Sequence, residues 1–94
     1  MFIISVNYVK PLEEVETLLS QHIEWLSKYY EAGVFIASGR QIPRTGGIIF
    51  AKSIERVKLD EILKQDPFNK VAEYQVTEFA PSMSIDSLAE LKSL

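Results

Sequence analysis

Two hydrophobic periods alternate along this chain, one of two residues and one near 3.6, and their order leaves few folds open. Phe2 to Tyr8 is apolar and rich in β-branched and aromatic residues, as a strand buried on at least one face requires. Pro11 then suits the first turn of a helix, where its missing N–H costs nothing, and Glu13 and Glu14 suit the positive end of the helix dipole. Leu12, Val15, Leu18, Leu19, His22, Ile23, Leu26, Tyr29 and Tyr30 recur at three- and four-residue spacing. That stripe predicts one helix of about five turns, stopped at Gly33. Val34 to Ser38 and Ile48 to Ala51 read as strands, with a polar loop from Gly39 to Gly47 between them. Ser53 can cap a second helix carrying Ile54, Val57, Leu59, Ile62 and Leu63, which must stop by Asp66 because Pro67 follows. Glu73 to Ala80 alternates Tyr74, Val76 and Glu78 against Gln75, Thr77 and Phe79, a strand incompletely covered on one face. Residues 83–94 form a tail in which Ile85, Leu88 and Leu91 keep helical spacing, either a short docking helix or a frayed end.

The order strand, helix, strand, strand, helix, strand is the split β-α-β arrangement of ferredoxin-like α+β folds. It predicts a four-stranded antiparallel sheet with both helices on one face and nothing from this chain on the other. A length of 94 residues allows one domain with a thin core, and the chain has no cysteine, so neither disulfides nor thiolate-bound metal can supplement it. A second copy laid against the open sheet face would, so a homodimer is expected, with a higher oligomer also open. Ten basic and 13 acidic residues give a net charge of −3 without like-charge blocks, which argues against nucleic acid as a partner. No apolar run reaches membrane-spanning length, and the start lacks the basic region of a signal peptide. Together with the absence of cysteine this leads us to expect no membrane partner and a cytoplasmic location.

Few residues can carry chemistry. His22 is the only histidine and lies mid-stripe on the first helix. It is either a core histidine satisfied by a backbone carbonyl or a general acid–base, since imidazole titrates near neutral pH. Asp66-Pro67-Phe68 directly follows the second helix. Asp66 either caps a short turn begun by Pro67 or orients an imidazole, for which a carboxylate near a helix C-terminus is suited. The loop Ser38-Gly39-Arg40-Gln41-Ile42-Pro43-Arg44-Thr45-Gly46-Gly47 is either a solvated hairpin end or an anion pocket built from arginines and glycine-freed backbone donors. Tyr29 and Tyr30 suit packing, whereas Trp25 falls off the main stripe and marks a candidate contact surface. There is no phosphate-binding loop, dinucleotide fingerprint or nucleophile elbow. A single histidine among scattered carboxylates sets no metal-ligand spacing, so no metal and no cofactor are expected.

The same residues carry a resemblance. His22-x-x-Trp25-Leu26, Gly33-Val34-Phe35-Ile36-Ala37-Ser38-Gly39, Pro43-Arg44-Thr45-Gly46-Gly47 and Asp66-Pro67-Phe68 make residues 1–82 similar to the YciI-like (YCII-related) proteins. The resemblance implies a ferredoxin-like protomer that pairs into a dimeric α/β barrel, with a histidine and an aspartate as the catalytic pair. Those residues match His22 and Asp66 here, with Ser38, Gly39, Arg40, Arg44 and Phe68 as the expected substrate-binding set. The activity implied is that of a lyase or isomerase moving a proton on a small anionic or phenolic ring without a cofactor. A non-catalytic small-metabolite-binding or accessory domain is the alternative. The chain departs from the family pattern at Arg40, where a proline often follows the glycine, and at Asn69-Lys70-Val71-Ala72, which lacks a glycine often found there.

Overall fold

A computed structural model describes all 94 residues. Four strands, β1 (Phe2–Tyr8), β2 (Phe35–Arg40), β3 (Gly46–Ala51) and β4 (Ala72–Glu78), form one sheet in the order β2-β3-β1-β4. Every neighbouring pair is antiparallel. Between β1 and β2 lie helices α1 (Leu12–Thr17) and α2 (Leu19–Glu31), and between β3 and β4 lies α3 (Arg56–Lys64), followed by a 3₁₀ turn at Pro67–Lys70. This is the ferredoxin-like α+β arrangement. No helix is long and apolar enough to cross a membrane.

Alternation along the strands decides which side chains meet the helices. Phe2, Ile4 and Val6 on β1, Phe35 on β2 and Ile49 and Ala51 on β3 point inward and are buried with Val15, Trp25, Tyr29, Leu59, Leu63 and Phe68. The opposite face presents Ile3, Ile48 and Phe50 among Ser5, Asn7, Gln75 and Thr77, so it is apolar at its middle and polar toward the β4 edge. A register shift between Phe35 and Ala37 turns Ser38 and Arg40 to the helix side, opposite Ile49 and Gly47.

Local structure departs from the sequence reading in four places. The first helical stretch is two helices rather than one, because the Thr17 hydroxyl donates to the Glu14 carbonyl and Leu18 N–H closes a three-residue turn on Val15. A side-chain hydroxyl competing for backbone acceptors in this way disturbs a helix. Strand β2 runs to Arg40 and β3 starts at Gly46, so the hairpin connection is shorter than Gly39–Gly47; Gln41 N–H donates to the Gly46 carbonyl and closes it. Helix α3 starts at Arg56, not after Ser53, whose hydroxyl instead accepts from the Met1 ammonium at 3.0 Å. Trp25 is a core residue, not a contact surface: it is 6 % exposed and its Nε1 donates to the Ile62 carbonyl at 3.0 Å, tying α2 to α3. Helix α2 packs against both the sheet and α3, which makes its buried face wider than one stripe. The tail forms 3₁₀ turns over Asp86–Ser93 that bury none of their residues, and Leu88 interrupts them with a non-helical backbone.

Candidate functional site

A cavity of about 200 Å³ lies between α2 and the inner face of β1, β2 and β3. Leu19, His22, Ile23 and Leu26 of α2 form one wall, and Val6, Tyr8, Ser38, Arg40 and Ile49 of the sheet form the other, with Phe68 at the inner end. The lining is mostly apolar, with imidazole, hydroxyl and guanidinium groups at a few points, as small-molecule sites usually are. Gly39 and Gly47 also line it. A Cβ on Gly39 would meet nothing within 4 Å, so a side chain there would find open space.

His22 and Asp66 are in contact. Nδ1 of His22 lies 2.7 Å from Oδ1 of Asp66, whose side chain is fully buried while that of His22 is 12 % exposed. With Asp66 as a carboxylate, which only accepts, Nδ1 is the donor of this bond and Nε2 is the ring nitrogen left for the cavity. The imidazole is stacked on Phe68, with ring centroids 3.8 Å apart and planes 3° from parallel. Asp66 makes two contacts through one oxygen. Its side chain caps the Pro67–Lys70 turn, accepting the Phe68 N–H at Oδ1 over 3.0 Å, and it orients the histidine. Oδ2 accepts a third donor, the hydroxyl of Tyr74 on β4. Burial above all, and then the bond to Asp66, push the Tyr74 phenol far above the ordinary tyrosine range, so this group stays a hydrogen-bond donor.

The remaining expected residues divide. Ser38, Gly39, Arg40 and Phe68 line the cavity, and the Ser38 hydroxyl is 2.7 Å from that of Tyr30. Arg40 takes part in none of the three ion pairs and is available to a ligand. Arg44 does not line the cavity. Its Nη1 is 2.8 Å from Glu16 of α1, and this bond holds the guanidinium above its usual value, with burial opposing and the adjacent Tyr8 hydroxyl adding. Its Nε and Nη2 are buried without partners. No three His, Asp or Glu side chains stand together as a metal site would require.

Residues 1–80 match the model of the YCII-related domain. The chain belongs to the YCII-related family. No curated protein matches its sequence. Among solved structures, 5-chloro-2-hydroxyhydroquinone dehydrochlorinase from Burkholderia phenoliruptrix AC1100, in complex with 2,5-dihydroxybenzoquinone, superposes with a TM-score of 0.68. That likeness covers 84% of this chain and 93% of the other at 15% identity, and is one of fold.

Two groups of this YCII-related site lie outside the sequence reading. Tyr74 stands in an alternating strand pattern, and only the packing of β4 beneath the Pro67–Lys70 turn brings its hydroxyl to Asp66. Tyr8 ends β1 and has the edge-on contact with Phe68 at 5.9 Å that puts it in the cavity wall. For Tyr74 the available signal is a tyrosine on the inward face of a strand, since a buried phenol needs a partner.

Proposed function

We propose that this protein is a cofactor-independent enzyme of the lyase or isomerase kind that moves a proton on a small phenolic or anionic ring. The observation that carries the reading is the 2.7 Å contact of His22 Nδ1 with a fully buried Asp66 at the end of an open cavity. His22 Nε2 takes a proton from the ring substrate, and the imidazolium formed is stabilised by the Asp66 carboxylate. The same nitrogen then returns the proton to another substrate atom or to a leaving group. Arg40 holds the anionic oxygen of the substrate, Ser38 and the Gly39 backbone border it, and Phe68 offers an aromatic edge to the ring. Arg44, in its place on Glu16, supports the 41–45 connection next to the cavity. The quinone bound by the structural neighbour is of the ring class this reading calls for.

A second reading, a non-catalytic metabolite-binding domain, is favoured by one observation. The His22 ring is packed face to face on Phe68, with Trp25 5.6 Å away, as a core aromatic would be. Two variants separate the readings. With 5-chloro-2-hydroxyhydroquinone and related phenols as trial substrates, His22→Ala and His22→Phe are expected to fold and bind while losing turnover by ~10²–10⁴-fold. Equal turnover by wild type and His22→Ala refutes the enzyme reading. Binding of 2,5-dihydroxybenzoquinone retained by His22→Phe, with no turnover by wild type of any compound, supports the binder.

The assembly belongs to the same proposal. The middle of the open sheet face, at Ile3, Ile48 and Phe50, is the surface a second copy covers in a dimeric α/β barrel. Light scattering at micromolar concentration is expected to give twice the protomer mass of 10.7 kDa. A stable monomer refutes the pairing.

A further inference from the structure

We infer that Tyr74 is a positioning residue for the reaction, acting on His22 through Asp66 without touching the substrate. The inference rests on the enzyme reading above and deepens it. Tyr74 sits opposite Val6 in the β1–β4 register, on the inward face of the sheet. Its hydroxyl donates to Oδ2 of Asp66, while Oδ1 takes both the Phe68 N–H and His22 Nδ1–H. Each oxygen of this buried carboxylate thus has a fixed task. Without the hydroxyl, Oδ2 of a side chain that has no exposed surface has no donor, and the carboxylate is free to turn about its last torsion. A turned carboxylate no longer points Oδ1 at Nδ1, so the tautomer that leaves Nε2 free loses its anchor. Three donors also spread the carboxylate charge, which keeps the imidazolium proton on the ring during the reaction rather than on Asp66.

Tyr74 reaches Asp66 from the far side. It does not line the His22 cavity but a separate cleft of about 310 Å³, shared with Arg56, Lys64 and Asn69. A change at Tyr74 therefore leaves the ligand's own contacts in place. That separation gives the test two readouts that a merely structural role does not move.

In ligand-free protein, the His22 Nδ1–H resonance is followed by NMR in wild type and in Tyr74→Phe. Exchange with solvent is expected to quicken about tenfold or more in the variant, the worth of one hydrogen bond to a charged group. With an accepted substrate, kcat is expected to fall about tenfold at unchanged KM, since only the orientation of the base has changed. Unchanged exchange and unchanged kcat in Tyr74→Phe, beside a His22→Ala that has lost turnover, overturn the inference and leave the enzyme reading standing. Turnover by His22→Ala overturns the enzyme reading instead, and the positioning of Asp66 is then judged by exchange alone. Should Tyr74→Phe fail to fold, the wild-type hydroxyl proton decides. A protected low-field Tyr74 resonance at low temperature supports the bond to Asp66, and a freely exchanging one overturns it.

Discussion

Asp66 is the acceptor on which three donors converge, and two substitutions separate its charge from its hydrogen bonds. In Asp66→Ala the Pro67–Lys70 turn loses its cap, worth about 1 kcal/mol. The Tyr74 hydroxyl and His22 Nδ1–H lose their acceptor as well, at about 1–3 kcal/mol for each buried donor left unpaired. The total of about 3–7 kcal/mol is comparable with the whole stability of a small domain, about 5–15 kcal/mol. Asp66→Asn keeps one carbonyl oxygen for Phe68 N–H and His22 Nδ1–H and turns an amide toward Tyr74, so only the phenolic proton loses its place. That costs about 1–3 kcal/mol. The assay is urea unfolding followed by circular dichroism at one fixed protomer concentration, because any oligomer makes stability depend on concentration. With a slope of about 1–3 kcal/mol per molar urea, a gap of about 2 kcal/mol between the variants moves the midpoint by about 1 M. Equal midpoints for the two variants, or two midpoints matching wild type, refute the picture of Asp66 as the acceptor shared by three donors.

Two further outcomes follow from particular residues. Tyr74 keeps its proton in the folded protein far above the ordinary tyrosine value of 10.0, whereas the unfolded chain ionises near that value. Its contribution is therefore complete below about pH 10 and falls by about 1.4 kcal/mol per pH unit above it; urea midpoints measured on both sides of pH 10 should show this slope in wild type and a shallower one in Tyr74→Phe, and parallel slopes refute it. Gly46→Ala places a Cβ 1.9 Å from the Val6 carbonyl, whereas a Cβ at Gly39 meets nothing within 4 Å. Thermal melts should show Gly46→Ala strongly destabilised and Gly39→Ala close to wild type, and the reverse order refutes the β1–β3 register.

Much of the fold was legible because it rests on period. Four stretches with strand composition and two helical stretches, in that order, admit one compact layer arrangement, and the strand order β2-β3-β1-β4 follows from it. The misreadings fall where local chemistry competes with period. Thr17 breaks a helix that the apolar stripe carries straight through, and Arg40 and Gly46 join strands although their types suggest a loop. Trp25 looked peripheral because a single stripe takes no account of α3 packing beside α2.

The sequence by itself determined which atoms were available for chemistry: one imidazole at the middle of a helix, one carboxylate held between a helix and Pro67, and two arginines near glycines. Whether any of them meet is a property of packing. His22 and Asp66 are 44 residues apart, and only the docking of α2 beside the Pro67–Lys70 turn brings Nδ1 to Oδ1. The same docking selects Arg40 and not Arg44 for the cavity, since Arg40 ends on the inward face of β2 while Glu16 of α1 holds the Arg44 guanidinium elsewhere. Tyr74 joins Asp66 from the strand on the other side of β1, through a bond that spans only eight residues but needs the sheet to exist. Periodicity reports which face of an element is buried, and it carries no record of which two buried faces touch.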